Sequence, residues 1–522
     1  MKKLFSMIGC LICVLAMFSS TAMAQTTIDL QPIGTFATGI FAQGAAEIVA
    51  HDPTLQRLFV VNAADQNINV LDISNPKTPL RLFTINIAPY GKQANSVAVH
   101  HGTVAAAVEN ENKQAPGSVI FFNTEGSFLS QVTVGALPDM ITFSPNGLWV
   151  LVANEGEPND DYTVDPEGSV SIIDIRRGAK HVTQDDVRTA DFTAFNNTPL
   201  DYSIRIFGPN ATVAQDLEPE YITVSKDSKK AWVTLQENNA IAVIDIIDAK
   251  VEKLIGLGFK DHMEEGNGID ASNKDGFINI TNWPTYGMYM PDSIASYKYR
   301  GETFLVTANE GDSRDYAGFS EETRVKDVIL DPVAFPDQMT LQAQENLGRL
   351  KITTTNGDLD NDGDYDALFS FGARSFSIRT DHGHMVFDSG DDFERITAAA
   401  FPDDFNSDEV NGSFDDRSDD KGPEPEGLAL GQIFDRTYAF IGLERIGGIM
   451  IYDITNPFSP SFIQYVNTRI FTGNAEAGTA GDLSPEGIIF IPAQKSPTLK
   501  PLLVVAYEVS GTTTIFEINV RD

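Results

Sequence analysis

Thiols are almost missing from this chain. Its 522 residues include two cysteines, Cys10 and Cys13, and both fall in an N-terminal stretch that reads as a secretory leader. Lys2 and Lys3 form the charged part, Met7 to Phe18 the apolar part, and Ala22, Met23 and Ala24 a small-residue cleavage site before Gln25. The apolar run is short for a membrane span. Cleavage near Ala24 predicts a secreted or periplasmic protein with no thiol, which excludes disulfides and Cys-ligated metals. Histidine is also scarce, at seven residues, which argues against a His-rich zinc or copper site; the close pair His382 and His384 reads as a surface turn. Positive charge is short as well. There are 37 Lys and Arg against 73 Asp and Glu, a formal net charge of -36. The first 24 residues hold two lysines and no acid, so their removal takes the charge to -38. Such a surface repels nucleic acid and anionic lipid and suits divalent cations as partners. No later segment is apolar and long enough to predict a transmembrane helix, and the sequence stops right after a strand at 513–520, with no sorting tail. Also missing are a Gly-x-Ser-x-Gly elbow, a His-Glu-x-x-His zinc motif, a phosphate-cradling glycine loop and a dinucleotide fingerprint.

What is present is repetition. An acid opens a short apolar strand, a turn follows, and a second apolar strand ends in Glu. Asp139 runs to Glu155 in this way, Glu220 to Glu237, Asp292 to Glu310, Glu426 to Glu444, and Glu486 to Glu508. Glu47 opens a looser copy that ends at Asn62 without a Glu. A third strand carries an aliphatic-Asp pattern, as in Val70-Leu-Asp72 and Val243-Ile-Asp245, and a more polar fourth follows. Four antiparallel strands per unit, repeated, predict an all-β fold, a β-propeller. Openings at Glu47, Asn95, Asp139, Glu220, Asp292, Arg374, Glu426 and Glu486 favour eight blades, with seven as the alternative if the Arg374 unit folds into its neighbour. The N-terminal strand near Ile28 to Phe36 has no unit of its own and resembles a fourth strand, so it is expected to complete the last blade and close the ring of a single domain spanning 25–522.

Antiparallel neighbours place the start of one strand beside the end of the next. Opening acids and closing glutamates therefore share a face, with the openings around the channel. This predicts an acid ring of Asp139, Glu155, Glu220, Asp292, Glu310, Glu426 and Glu486 that holds Ca²⁺ or, in its place, Mg²⁺. Carboxylates ~7 Å apart repel by roughly 2 kcal/mol at an effective dielectric of ~20, so cations, Arg or Lys partners, or raised pKa values are required. The blander reading of each acid is a turn that binds backbone amides. Long acidic loops (154–168, 309–316, the one holding Asp261, His262, Asn267 and Asp270, and 414–426) are expected mostly on the same face. If there is catalysis, metal-activated water attacking a phosphoester is the natural chemistry. Glu310, Arg314, Glu426 and Arg445 are its candidates, with Arg417 and Lys421 as further phosphate holders; the competing reading is that these cations neutralise the ring.

One motif stands apart. Asp358, Asp360, Asp362, Asp364 and Asp366 alternate, with Gly363 at the sixth position, the opening of a calcium loop whose twelfth position is Phe369 instead of Glu. The strand count places it between third and fourth strands of blade five, opposite the acid ring, as a structural staple.

The runs LPDMITFSPNG, VLVANEGEPNDDYTVDPEGSVSIIDI, NWPTYGMYMPDSIASY, FSFGARSFSI, SFDDRSDDKGPEPEG and AFIGLERIGGIMIYDI resemble the choice-of-anchor I family of secreted bacterial proteins over nearly all of the mature chain. That family is similar to mesenchyme-specific cell-surface glycoproteins of animal biomineralisation, and some members carry an alkaline-phosphatase label. The family name reflects variable C-terminal anchors, and none is read here. The resemblance carries no catalytic residues over. The β-propeller phytases are similar by fold analogy alone. Two functions follow as expectations: a secreted divalent-cation-binding propeller that contacts mineral or a cell-surface polymer, or a calcium-dependent phosphomonoesterase acting on phosphorylated small molecules.

Overall fold

Strands that are apolar on both faces must be covered on both. In a computed structural model, which describes residues 27–410 and 412–521 and leaves the leader outside the described residues, these are the second strands of the repeats. Arg57–Asn62, Thr103–Val108, Trp149–Asn154, Lys230–Leu235, Glu302–Asn309, Arg436–Leu443 and Leu502–Tyr507 are buried over almost their whole length. Each sits inside a four-stranded antiparallel sheet, and the described residues form seven such sheets arranged as blades. The inner strands are Val49–Asp52, Ala94–His100, Pro138–Phe143, Pro219–Val224, Ile294–Tyr299, Pro425–Ile433 and Pro485–Ile491.

The cores lie between blades. Seven apolar clusters each draw on two adjacent blades. One of them packs Leu58, Val60 and Leu71 of the first blade on Leu502, Val504 and Ile515 of the last, which completes the circle. Thr27–Ala37 pairs antiparallel with Thr512–Arg521, from Thr27 opposite Arg521 to Ala37 opposite Thr512, and is the outer strand of the seventh blade, as expected.

The blade count is seven, not the favoured eight. Arg374 opens no unit: Ser375–Thr380 is the third strand of the fifth blade and pairs with Glu302–Asn309. The insertion 310–374 separates the two strands in sequence, so the second half of one blade imitates the start of another.

Chain direction puts the long insertions on one face, because each leaves after a second or a fourth strand. Two of them, 257–293 and 310–374, combine into a five-stranded sheet of Phe259–Asp261, Tyr286–Met288, Phe369–Ser370, Lys351–Thr353 and Glu322–Arg324. A separate core of Ile269, Leu330, Leu347, Ile352 and Leu368 supports it.

The closing strand makes a direct prediction. Leu30 is 1% exposed and packs in the core shared by the sixth and seventh blades. Leu30→Ala is expected to cost about 2–5 kcal/mol in urea unfolding, as for a central core leucine. A loss below about 0.5 kcal/mol, the range of a surface change, would mean that the strand does not close the ring.

Candidate metal centre

Four inner strands open on the same dipeptide, proline then an acid, at Pro138-Asp139, Pro219-Glu220, Pro425-Glu426 and Pro485-Glu486, and a fifth copy, Pro291-Asp292, lies just before Ile294–Tyr299. Proline has no N–H, so it can begin a strand but not continue its ladder. The ladder slips after it, with register shifts between Pro138 and Ile141, Pro219 and Ile222, Pro425 and Leu428, and Pro485 and Ile488. Such bulges redirect side chains. The residue before the proline is held at positive φ in four of the five cases: Leu137 at 46°, Met290 at 41°, Glu424 at 52° and Ser484 at 62°. That region is unfavourable for residues with a Cβ and persists only where the surroundings enforce it.

The same residue ties the two acids of a blade together. The amide of Glu155 donates to the carbonyl of Leu137 at 2.9 Å, that of Glu444 to Glu424 at 2.8 Å, and that of Glu508 to Ser484 at 2.9 Å. The opening acid lies two residues further on. Glycine after the acid narrows the ring. A Cβ on Gly427 would sit 2.1 Å from the carbonyl oxygen of Glu486, and one on Gly487 would sit 2.5 Å from that of Glu47. No other residue lets adjacent inner strands approach so closely.

These devices line a cavity of about 410 Å³ with Glu47, Glu109, Asp139, Glu155, Glu157, Asp292, Glu486 and Glu508. Two lysines share it: Lys92 pairs with Glu109 at 2.8 Å, and Lys113 pairs with Glu157. Ile48, Met140 and Tyr221 line this cavity and also a smaller one of about 300 Å³ further along the channel. Asn95 takes the opening position in the second blade, so the ring has one neutral member.

Burial and mutual repulsion raise the carboxyl pKa values. Glu47 is pushed up to about 9 by burial and then by Glu486 and Glu508. Burial and Glu508 raise Glu486 to about 8, and burial and Glu157 raise Asp139 to about 7. Four others lie well above the ordinary carboxyl range, each through burial first. Glu155 also feels Asp139, Glu220 feels Glu237 and Asp292, Asp292 feels Glu486 and Glu310, and Glu426 feels Glu486 and Glu444. The acids of six blades thus share one field. Glu220, Glu237 and Glu426 are not among the residues that line the cavity, and each keeps a buried carboxylate oxygen with no hydrogen-bond partner.

The cations read as phosphate holders are engaged elsewhere. Arg314 is 1% exposed, pairs with Asp216 and with Glu218 at 2.9 Å, and lies over the ring of Phe207. Lys421 bonds Glu310 at 2.6 Å and Glu424 at 3.0 Å. Arg417 bonds Glu424 at 2.7 Å and Asp420 at 3.0 Å. Arg445 reaches Glu409 at 2.9 Å and Glu424 and Glu444 at 3.1 Å each. Burial would raise Glu424, but Lys421, Arg445 and Arg417 outweigh it and hold that carboxyl far below its usual range. Glu310 is saturated, since its second oxygen accepts from Gln236 Nε2 at 2.9 Å. Oxygens of Glu310, Glu424 and Glu444 lie within 4.8 Å of one another, but around an ammonium. Sequence reasoning did not find Glu424, nor Glu109 and Glu157 as cavity acids. The Pro-acid dipeptide was the unread signal for the ring.

The aspartate loop is not where the strand count put it. It joins Lys351–Thr353 to Phe369–Ser370 within the insertion sheet, between the second and third strands of the fifth blade, and so is rooted on the mouth side. The long insertion misled the count. Asp358, Asp360 and Asp366 bring oxygens within 4.8 Å of one another, a grouping that does not include Asp362 and Asp364. Asp358 accepts the amides of Asp362 and Gly363 at 3.1 Å each, and Gly363 takes the turn at φ 102°. Asp362 and then burial raise the pKa of Asp360.

Among the described residues no helix is long and apolar enough to cross a membrane. Gigasin-3a of Magallana gigas is 34% identical over 195 residues, which is 35% of this chain and 68% of that protein. A mesenchyme-specific cell surface glycoprotein of Strongylocentrotus purpuratus is 29% identical over 282 residues, 47% of this chain but only 36% of that longer protein. Among solved structures, a chain of Kuenenia stuttgartiensis hydrazine synthase aligns over 91% of this chain and 96% of its own at 12% identity, with a TM-score of 0.48. The Choice-of-anchor I domain model matches residues 47–457. The chain belongs to the choice-of-anchor I family.

Proposed function

We propose that this is an exported propeller that binds calcium in its acidic mouth and presents the bound ions to a mineral or a cell-surface polymer. The observation that carries the reading is the cavity of about 410 Å³ with eight carboxylates against two lysines, both already paired. Oxygen-only donors favour Ca²⁺ over softer metals. The group of Asp358, Asp360 and Asp366 would take a second ion as a staple for the insertion sheet. The cell-surface assignment in one relative's name favours a role outside the cell. Binding is favoured over phosphoester hydrolysis because Arg314, Arg417, Lys421 and Arg445 all spend their charge on acids. No member of that set is left to hold a phosphoryl group.

Equilibrium dialysis with ⁴⁵Ca tests the mouth. Glu486→Gln and Glu426→Gln should each weaken mouth binding by about tenfold or more, while Asp360→Ala removes a different equivalent; unaltered binding in both glutamate variants would refute the mouth site. A chromogenic phosphomonoester with calcium, then with chelator, should give no chelator-sensitive turnover. Turnover abolished by Glu426→Gln in a folded variant would favour the hydrolase instead.

The raised pKa values also predict a pH signature. Glu47, Glu486 and Asp139 titrate at about 9, 8 and 7 when folded, against about 4 when unfolded. Their stabilisation is therefore complete below the unfolded value and lost as pH rises through the folded values. Calcium-free protein should lose thermal stability from about pH 5 to about pH 9, and calcium should restore more of it the higher the pH. Scanning calorimetry with and without chelator reads this; a calcium effect independent of pH would contradict it.

A further inference from the structure

The channel is lined differently at its two ends. The inner strands run away from the mouth, so their last residues stand at the far end: Val224 closes Pro219–Val224, Lys298 is next to last in Ile294–Tyr299, and Gln432 is next to last in Pro425–Ile433. Together with Lys226, on the turn after Val224, they line a cavity of about 480 Å³. The smaller cavity of about 300 Å³ along the channel holds Lys495. Among the described residues no Asp or Glu lines either space. The chain as a whole has 73 acids against 37 Lys and Arg. Its channel nevertheless gathers eight carboxylates at one end and lysines without an acid at the other.

These lysines are also unspent. Lys230 pairs with Glu252 and Lys500 with Glu517, at 2.5 Å each. Lys226, Lys298 and Lys495 pair with no acid among the described residues. Asp227 feels Lys298 but stands outside the lining, and its carboxylate accepts from Ser225 Oγ at 2.7 Å and from the Lys229 amide at 3.3 Å. Lys298 and Gln432 belong to adjacent blades, and their cross-strand partners Thr303 and Thr437 line the same space. Ser296, two residues before Lys298 and on the same side of its strand, bonds Thr223 at 3.0 Å, which ties the inner strands of the fourth and fifth blades together. Two ammonium groups facing one space repel each other as the mouth acids do. Ammonium, amide and hydroxyl donors with no acid opposite them are the complement of an oxyanion. Lysine suits this as a point charge on a flexible stem.

We propose that the cavity between the fourth, fifth and sixth blades, at the end of the channel away from the mouth, binds a tetrahedral oxyanion, phosphate or sulfate, through Lys226 and Lys298, with Gln432 and Thr437 as further donors. It does not depend on the mouth reading. Isothermal titration calorimetry of the mature chain at low ionic strength tests it, with inorganic phosphate and with glucose 6-phosphate as probes. Chelator is present throughout, so that no bound calcium recruits the anion. One equivalent should bind, and Lys226→Gln and Lys298→Gln should each weaken it about tenfold or more, as for the loss of a hydrogen bond to a charged group. Both lysines are exposed, so neither change threatens the fold. Lys229→Gln, on the same turn as Lys226 but outside the lining, should leave binding unchanged. Glu426→Gln should leave it unchanged too, which separates failure here from failure at the mouth. Tighter binding of the ester would identify an anion carried on an organic body as the ligand; equal or weaker binding of the ester would identify the inorganic ion. No saturable binding of either probe would overturn the site, as would wild-type binding in both cavity variants. An equal loss in Lys229→Gln would overturn it as well, because the attraction would then be a diffuse one to surface charge.

Discussion

A carboxylate crowded by other carboxylates can move away, hold a proton or find a cation. Everything at the mouth of this propeller depends on the first choice being closed. Seven inter-blade cores fix the inner strands in a ring. The proline-led bulges then fix where each opening acid leaves its strand. The left-handed residues before those prolines add local strain that only a tightly packed surround maintains. The rim is therefore rigid, and its burial, then its repulsion, are expressed as raised pKa values instead of as separation.

The acids divide into two populations. Around Glu424 the negative charge is matched: Lys421, Arg417 and Arg445 surround it and its neighbours Glu310 and Glu444. Arg314 does the same for Asp216 and Glu218. These are structural ion pairs, and breaking one would leave an uncompensated buried charge. In the cavity, acids outnumber cations by eight to two. The contrast within one chain is informative. Where this fold needs neutrality it supplies arginine or lysine from its own sequence, and that contrast is what supports the proposed ion at the mouth.

The repeat made the propeller and the shared face of its acids legible, because a strand pair with an acid at its start and a Glu at its end has one antiparallel solution. Asp139 with Glu155 and Glu486 with Glu508 follow that rule. What failed was local continuity. The insertion 310–374 hides the link between Glu302–Asn309 and Ser375–Thr380, so Arg374 imitates a blade opening and the aspartate loop moves to the wrong side. Arg314 gave no hint of its fate, since Asp216 and Glu218 lie nearly a hundred residues earlier and meet it only in the folded state. Glu424 stands outside the repeat, before Pro425, and its role depends on Lys421 and Arg445 converging on it. The Pro-acid dipeptide was readable in principle, since proline at a strand start has a mechanical meaning.

A crystal structure grown with a lanthanide in place of calcium, read through its anomalous difference map, tests the central claim most directly. The account predicts a peak inside the channel mouth, bonded at about 2.3–2.6 Å to oxygens drawn from Asp139, Asp292, Glu426 and Glu486. A mouth holding only water, with those carboxylates turned apart or paired to lysine, would contradict it.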